Sequence, residues 1–271
     1  MNYRGLQRAA RQCLRDSGDH PRRLTLLFLL CLYGVLVCTD AVSWVLELRL
    51  AGSGGTGFHS VEAAARVDLA VFVMTLLYGA FNLIWSAGYI VFALRLSRRQ
   101  PVRFRTFAEG FRQVGRVLAV QLLQALLVLL WSLLLVVPGI VAAYRYSMAL
   151  YIVVDDPEIS VLEALAVSSR ITYGHKLELL MLHLHFLWYY LPGILATLAA
   201  QAYNYGLLAD WWYTANGYGA MYLVTLLVPL AMDAVGMAYA QTTWAHAYNW
   251  LLSLDRAQRE EVRSYRFPNQ M

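Results

Sequence analysis

The chain has 271 residues, of which 59% are hydrophobic and only 14% charged, with a mean hydropathy of +0.49 and a formal net charge of +5. A soluble domain carries roughly 25% charged residues, so this balance excludes an ordinary water-soluble globule and describes a chain that lies mostly in lipid. The basic excess does not point to nucleic acid, because the arginines fall between apolar runs, where the flanks of membrane helices carry them.

The chain opens on a basic amphipathic segment, residues 1–23. Arg4, Arg8, Arg11 and Arg15 recur at helical spacing, while Leu6, Ala10, Cys13 and Leu14 fall toward another face. Such a segment either lies on an anionic membrane surface or forms a solvated charge run that sets topology. The apolar run from Leu24 to about Leu46 is long enough for a hydrocarbon core of about 30 Å and longer than the core of a signal peptide. It reads as an uncleaved first crossing, with Asp40 in its second half. A Gly-rich loop around Gly54–Gly57 follows, then a second crossing from about Ala70 to Leu94 that contains Asn82.

A dense basic loop, Arg95 to Arg116, comes next. Thr106 and Glu109 have capping-box spacing, which places the start of the third helix near Phe107. That helix reaches Val137, where Pro138 disfavours helical geometry and Gly139 permits a sharp turn. The fourth crossing, Ile140 to about Val154, is short and ends at the acidic break Asp155-Asp156-Pro157-Glu158. Ser160 and Glu163 form a second capping box, opening a short interfacial helix that closes near Tyr173 with Gly174 after its end. Leu162, Leu165, Ala166 and Ser169 would form its less polar face.

The fifth crossing runs from about Leu177 to Ala200 and carries His183, His185 and a second Pro-Gly pair, Pro192-Gly193. A loop with Trp211 and Trp212 leads to the sixth helix, which runs from about Gly219 into the 240s with Pro229 and Asp233 inside it. The fold expected is all-α: a polytopic membrane bundle of about six transmembrane helices over 24–251, with short interfacial amphipathic helices. Polar loops lie near 95–116 and 155–176, and 252–271 forms a tail. All of the 22 basic residues except Arg49, Arg66 and Arg145 fall on one side of this arrangement, so both termini are expected in the cytoplasm.

Polar residues at membrane depth are the first places to look for function, because burying charge in lipid is costly. Arg145, Asp233 and Asn82 are the candidates, with Arg145 and Asp233 as an ion pair that either gates a pathway or ties the bundle together. Pro138-Gly139 and Pro192-Gly193 each follow a Leu-Trp pair and are read as structural hinges, either unrelated or marking a repeated helix hairpin. Cys13, Cys31 and Cys38 have no metal-ligand spacing, and His183 and His185, two apart, cannot form a helical zinc pair. No catalytic constellation stands out, so no enzyme, metal or cofactor is expected.

The central stretch resembles a bacterial integral-membrane family catalogued as domain of unknown function 975. The resemblance rests on Pro138-Gly139-Ile140, Tyr146-Ser147-Met148-Ala149, Asp155 to Glu158, Glu163-Ala164, Ser169-Arg170 and Gly174-His175-Lys176. Phe107, Gly110 and Phe111 look like the motif that precedes the third crossing. The likeness covers about residues 104–190 and implies a polytopic protein of the bacterial cytoplasmic membrane without implying an activity. The expectation is a non-enzymatic membrane scaffold or regulator acting through its cytoplasmic face, or alternatively a transporter of a small solute or lipid through a polar seam. The partners expected are anionic lipid headgroups at the arginine-rich segments, and a protein partner or a second copy of the chain.

Overall fold

The apolar runs become helices because a backbone in lipid has no water to satisfy its N–H and C=O groups and must pair them within the segment. The computed structural model describes residues 3–18, 20–52, 61–204 and 215–266. These form α1 (Tyr3–Asp16), α2 (Pro21–Gly52), α3 (Val61–Ser97), a 3₁₀ segment (Phe104–Gln113) and α4 (Val114–Leu134). Then come α5 (Val136–Tyr146), α6 (Ala149–Asp155), α7 (Val161–Ile171), α8 (Lys176–Asn204) and α9 (Ala215–Arg266); among the described residues there is no strand.

Among the described residues, six stretches are long and apolar enough to cross a membrane: Pro21–Leu46, Leu69–Ser97, Phe104–Leu134, Val136–Asp155, Lys176–Ala202 and Ala220–Glu261. The protein is an all-α polytopic membrane bundle. The Gly54–Gly57 loop and the Trp211-Trp212 loop lie outside the described residues.

Burial is uneven along the bundle. One end, which collects α1, α6, α7 and the charged ends of α3 and α9, is packed like a soluble core: Met148, Leu179, Phe186, Ala245 and Tyr248 are almost fully buried. Toward the other end, large apolar side chains point outward, among them Leu76, Leu133, Val136, Ile194 and Leu223. An outward apolar surface of this extent suits lipid, not water. At 52 residues α9 extends about 78 Å, far more than a bilayer core of about 30 Å, so its charged C-terminal part must stand outside. The expected tail from residue 252 is therefore a continuation of α9 as far as Arg266.

Several local expectations are corrected. The third helix starts not with Thr106 as N-cap but with the 3₁₀ segment. There Thr106 is buried, its Oγ1 accepting from the Arg103 N–H at 3.2 Å, and Glu109 binds Arg95 at 2.7 Å instead of capping. Phe107 fills an aromatic box made by Phe28, Trp85, Tyr89 and Phe92. The backbones of the 3₁₀ segment and α3 touch at Gly110 and Gly88: a Cβ on Gly88 would sit 1.9 Å from the Phe107 carbonyl oxygen.

The hairpin between α4 and α5 breaks at Leu135, which is extended (φ −163, ψ 152), not at Pro138. Pro138 lies in the first turn of α5, where a missing N–H costs nothing. Gly139 is helical, and it serves close approach: a Cβ there would meet Ser132 Oγ at 2.1 Å. Pro192 does not turn the chain either. It lies inside a continuous α8, and Gly193 rests against Pro229 of α9. The two Pro-Gly pairs thus occupy unlike positions and mark no repeat. The fourth crossing is broken at Ser147-Met148 into α5 and α6.

The N-terminal helix is docked against the bundle and does not stand free of it. Ala10 is fully buried, Cys13 Sγ donates to the Leu96 carbonyl at 2.7 Å, and the Arg11 guanidinium stacks over the Tyr239 ring at 4.9 Å. Burial pushes the Cys13 thiol pKa up, so this cysteine packs as an apolar group.

Gly88→Ala should cost about 1–3 kcal/mol, because the methyl meets backbone that has no rotamer to escape through. Gly193→Ala, whose Cβ would lie an ordinary 3.5 Å from Pro229, should be close to neutral. Thermal unfolding in detergent, followed by tryptophan fluorescence, separates the two; equal behaviour would contradict the packing described here.

Candidate functional site

The densest polar chemistry lies where the chain leaves the apolar spans, and Asp155 is its centre. Asp155 is the last residue of α6, and Arg98 follows the last turn of α3. Arg98 binds Asp155 through its two terminal guanidinium nitrogens, at 2.5 and 2.8 Å. A two-pronged guanidinium–carboxylate pair fixes orientation as well as distance. Tyr248 of α9 donates to the same carboxylate at 3.1 Å. Asn249 accepts from Arg98 Nε at 3.2 Å and donates to Ser97 Oγ at 2.8 Å. Three helices that are distant in sequence are thereby joined at one carboxylate. The C-terminal dipoles of α3 and α6 both favour a cation there, and the hydrogen bonds to Asp155 push the Arg98 pKa further up.

Three further arginines extend this buckle. Arg116, in the first turn of α4, donates to the carbonyls of Pro157 and Ile159, which no helix satisfies. Asp156 holds the same turn by accepting from the Glu158 N–H at 3.0 Å. Arg170 of α7 and Arg259 of α9 both bind Asp255, at 3.0 and 2.9 Å. Arg98, Arg116 and Arg170 each bond a carboxylate or a backbone carbonyl of another segment, so the cluster positions the chain.

Helix α7 is set into this framework at both ends. Ser160 Oγ accepts from the Glu163 N–H at 3.2 Å, capping its start. Gly174 has φ +82 just beyond its end, where a side chain would be strained. Its buried side is Ala164, Leu165, Ser168 and Ile171, while Leu162 and Ala166, expected on the less polar face, are exposed. Ser168 repairs the break between α5 and α6: its hydroxyl donates to the Arg145 carbonyl at 2.9 Å and accepts from the Met148 N–H at 3.2 Å. Thr172 Oγ1 adds a second bond to the Arg145 carbonyl at 3.2 Å.

The expected seam of Arg145, Asp233 and Asn82 is not assembled. Arg145 is exposed beside α7, its Nε donating to Ser169 Oγ at 2.6 Å and its guanidinium lying 5.4 Å from the Tyr146 ring centre. Asp233 of α9 instead accepts from the Tyr33 hydroxyl of α2 at 3.0 Å. It lines a cleft of about 380 Å³ between α8 and α9, along with Tyr190, Gly193, Thr197 and Pro229. Asn82 lies partly buried on α3, one residue before Leu83, whose carbonyl accepts from Gln121. Asp40 pairs with Tyr222 at 3.1 Å, and His183 packs edge-on to Tyr144 and Trp244.

Asp155, Arg98, Arg116, Asp255 and Ser168 did not stand out in the sequence. One signal was available: Asp155 and Arg98 carry opposite charges at the ends of two apolar runs, and so share one membrane boundary.

Ser168→Ala leaves the Met148 N–H unpaired in the interior, at a cost of about 1–3 kcal/mol. Ser169→Ala, at a partly exposed position, should cost distinctly less. Chemical unfolding in detergent measures both, and equal costs would contradict the role assigned to Ser168.

The segment that matches a family begins after the Phe107–Phe111 motif and runs past Trp188 into α9, so it starts later and extends further than the motifs in the sequence suggest. No curated protein and no solved structure matches the chain. Residues 133–254, which hold Asp155, the whole of α7 and α8 and most of α9, match the family described as Protein of unknown function (DUF975).

Proposed function

We propose that this is a multi-pass protein of the bacterial cytoplasmic membrane, both termini in the cytoplasm, acting as a non-enzymatic scaffold or regulator through its polar end. The charge distribution supports the orientation. Arg145, the one exception near the middle of an apolar run, reaches Ser169 of α7 and joins the polar end, which leaves Arg49 and Arg66 on the opposite side.

The observation that carries the reading is the fixing of α7. A helix of 11 residues is too short to persist alone, yet this one is capped, closed by a left-handed glycine and bonded to α5 and α9. Its outer side presents Leu162, 71% exposed, with Glu163 and Arg170 exposed on the same helix, and Tyr173, 80% exposed, follows its end. A rigid apolar patch with charged neighbours is the anatomy of a protein-docking surface. The partner is a protein that meets this patch with apolar side chains of its own.

A second reading, transport of a small solute or lipid, is favoured by one observation: the Asp233 carboxylate in the cleft between α8 and α9. The separation of Arg145 from that cleft weighs against a continuous polar path.

A photoreactive amino acid placed at Leu162 or Tyr173 should give one discrete protein adduct in the host cell, and none from Leu133 at the other end. Adducts with lipid alone at the first two positions would overturn the docking reading. The transport reading expects instead that Asp233→Asn abolishes the cellular phenotype of the protein while leaving any such adduct intact.

A further inference from the structure

The docked N-terminal helix creates a cleft that no part of the scaffold reading uses. Arg11 and Arg15 of α1 and Arg22 in the first turn of α2 line a space of about 300 Å³ together with Tyr189 of α8 and Val235 and Tyr239 of α9. Among the described residues none of the three arginines is in an ion pair. Asp16, next to Arg15 in sequence, lines a different cleft with Cys13, Leu96 and Arg99. Three guanidinium groups around one space repel one another, and the arrangement favours an anion between them. The start of a long helix at Pro21 adds positive potential to the same place.

The opposite wall of the cleft is of another kind. Val235 is 67% exposed, and the rings of Tyr189 and Tyr239 carry the apolar surface from it toward the arginines. Arg11 lies against the Tyr239 hydroxyl oxygen as well as over its ring, and the buried hydroxyl's own proton has no acceptor among the described residues. A buried hydroxyl at the wall of a cationic cleft is a donor awaiting an acceptor. Arg22 at the start of the Pro21–Leu46 span, with Arg11 and Arg15 before it, and an exposed valine inside the Ala220–Glu261 span match the two halves of an anionic phospholipid. Inorganic phosphate would engage the arginines and leave the apolar wall unused.

We infer that this cleft is a specific binding site for an anionic phospholipid. Arg11, Arg15 and Arg22 hold the headgroup phosphate, Tyr239 donates to it, and an acyl chain runs along Val235 and Tyr189. The inference assigns to one site the contact with anionic headgroups that the arginine-rich sequence leads one to expect. It does not depend on the α7 docking surface.

The test uses the full chain purified in an uncharged detergent, titrated with phosphatidylglycerol carrying a fluorescent acyl chain. Unlabelled phosphatidylglycerol should compete, whereas phosphatidylcholine and inorganic phosphate should compete at least about tenfold less well. The triple variant Arg11→Gln, Arg15→Gln, Arg22→Gln should weaken binding by about tenfold or more. The triple variant Arg4→Gln, Arg8→Gln, Arg23→Gln, which removes equal charge outside the cleft, should change it by less than about threefold. Val235→Trp fills the apolar wall with every arginine in place and should also weaken binding about tenfold, which separates loss of the site from loss of the fold. Equal losses in the two arginine triples would reduce the contact to diffuse surface attraction and overturn the site. Competition by inorganic phosphate equal to that of phosphatidylglycerol, or a Val235→Trp variant that binds normally, would overturn the lipid assignment.

Discussion

The polar end of this protein depends on the grip of Arg98 on Asp155. α3, α6 and α9 each end an apolar stretch near the same boundary, and none has sequence neighbours that would hold it to the others. A carboxylate at the end of α6, bound by both terminal nitrogens of Arg98 and by Tyr248, supplies the tie. Asn249 carries it on to Ser97. Once Asp155 is fixed, the turn after it can be held by Arg116, and α7 is delivered to the groove where Ser168 meets the broken backbone between α5 and α6.

This explains why burial is uneven. Lipid gives apolar side chains no strong reason to associate, so the outward ends of the spans present leucine and valine to the surroundings. Where the helices leave the apolar spans, the hydrophobic effect operates again, and the side chains there pack as in a soluble protein. The aromatic box around Phe107 and the cluster around Met148 and Phe186 both sit in that region, with α1 as a lid over part of it. The molecule combines a lipid-facing bundle with a smaller water-type core, and its charged residues join the two.

Much of the fold was legible in the sequence, because apolar runs and basic flanks follow directly from the energetics of lipid and membrane boundaries. The six spans and the all-α class come from that source, and the start of α7 at Ser160 comes from cap chemistry. What was not legible is the rotation of each helix about its axis. Arg145 and Asp233 both lie in apolar runs and invite pairing, but α5 turns Arg145 toward Ser169 while α9 turns Asp233 toward Tyr33. The same limit hid the buried face of α7, where Ala164 and Ser168 point inward and Leu162 does not. Prolines misled for a related reason. Pro138 and Pro192 carry the same chemistry, yet one falls where a helix has spare donors and the other inside a helix whose packing overrides the lost bond.

The central claim is that the polar end is one preformed unit held by the Arg98–Asp155 tie. Hydrogen–deuterium exchange of the protein in lipid nanodiscs tests it most directly, read on the amides of Val161–Ile171 in the native chain and in Asp155→Asn. The account predicts strong protection of this helix in the native protein and exchange faster by about tenfold or more in the variant, with the apolar part of α8 unchanged. A helix that exchanges freely in the native chain, or one that stays equally protected without the carboxylate, would contradict it.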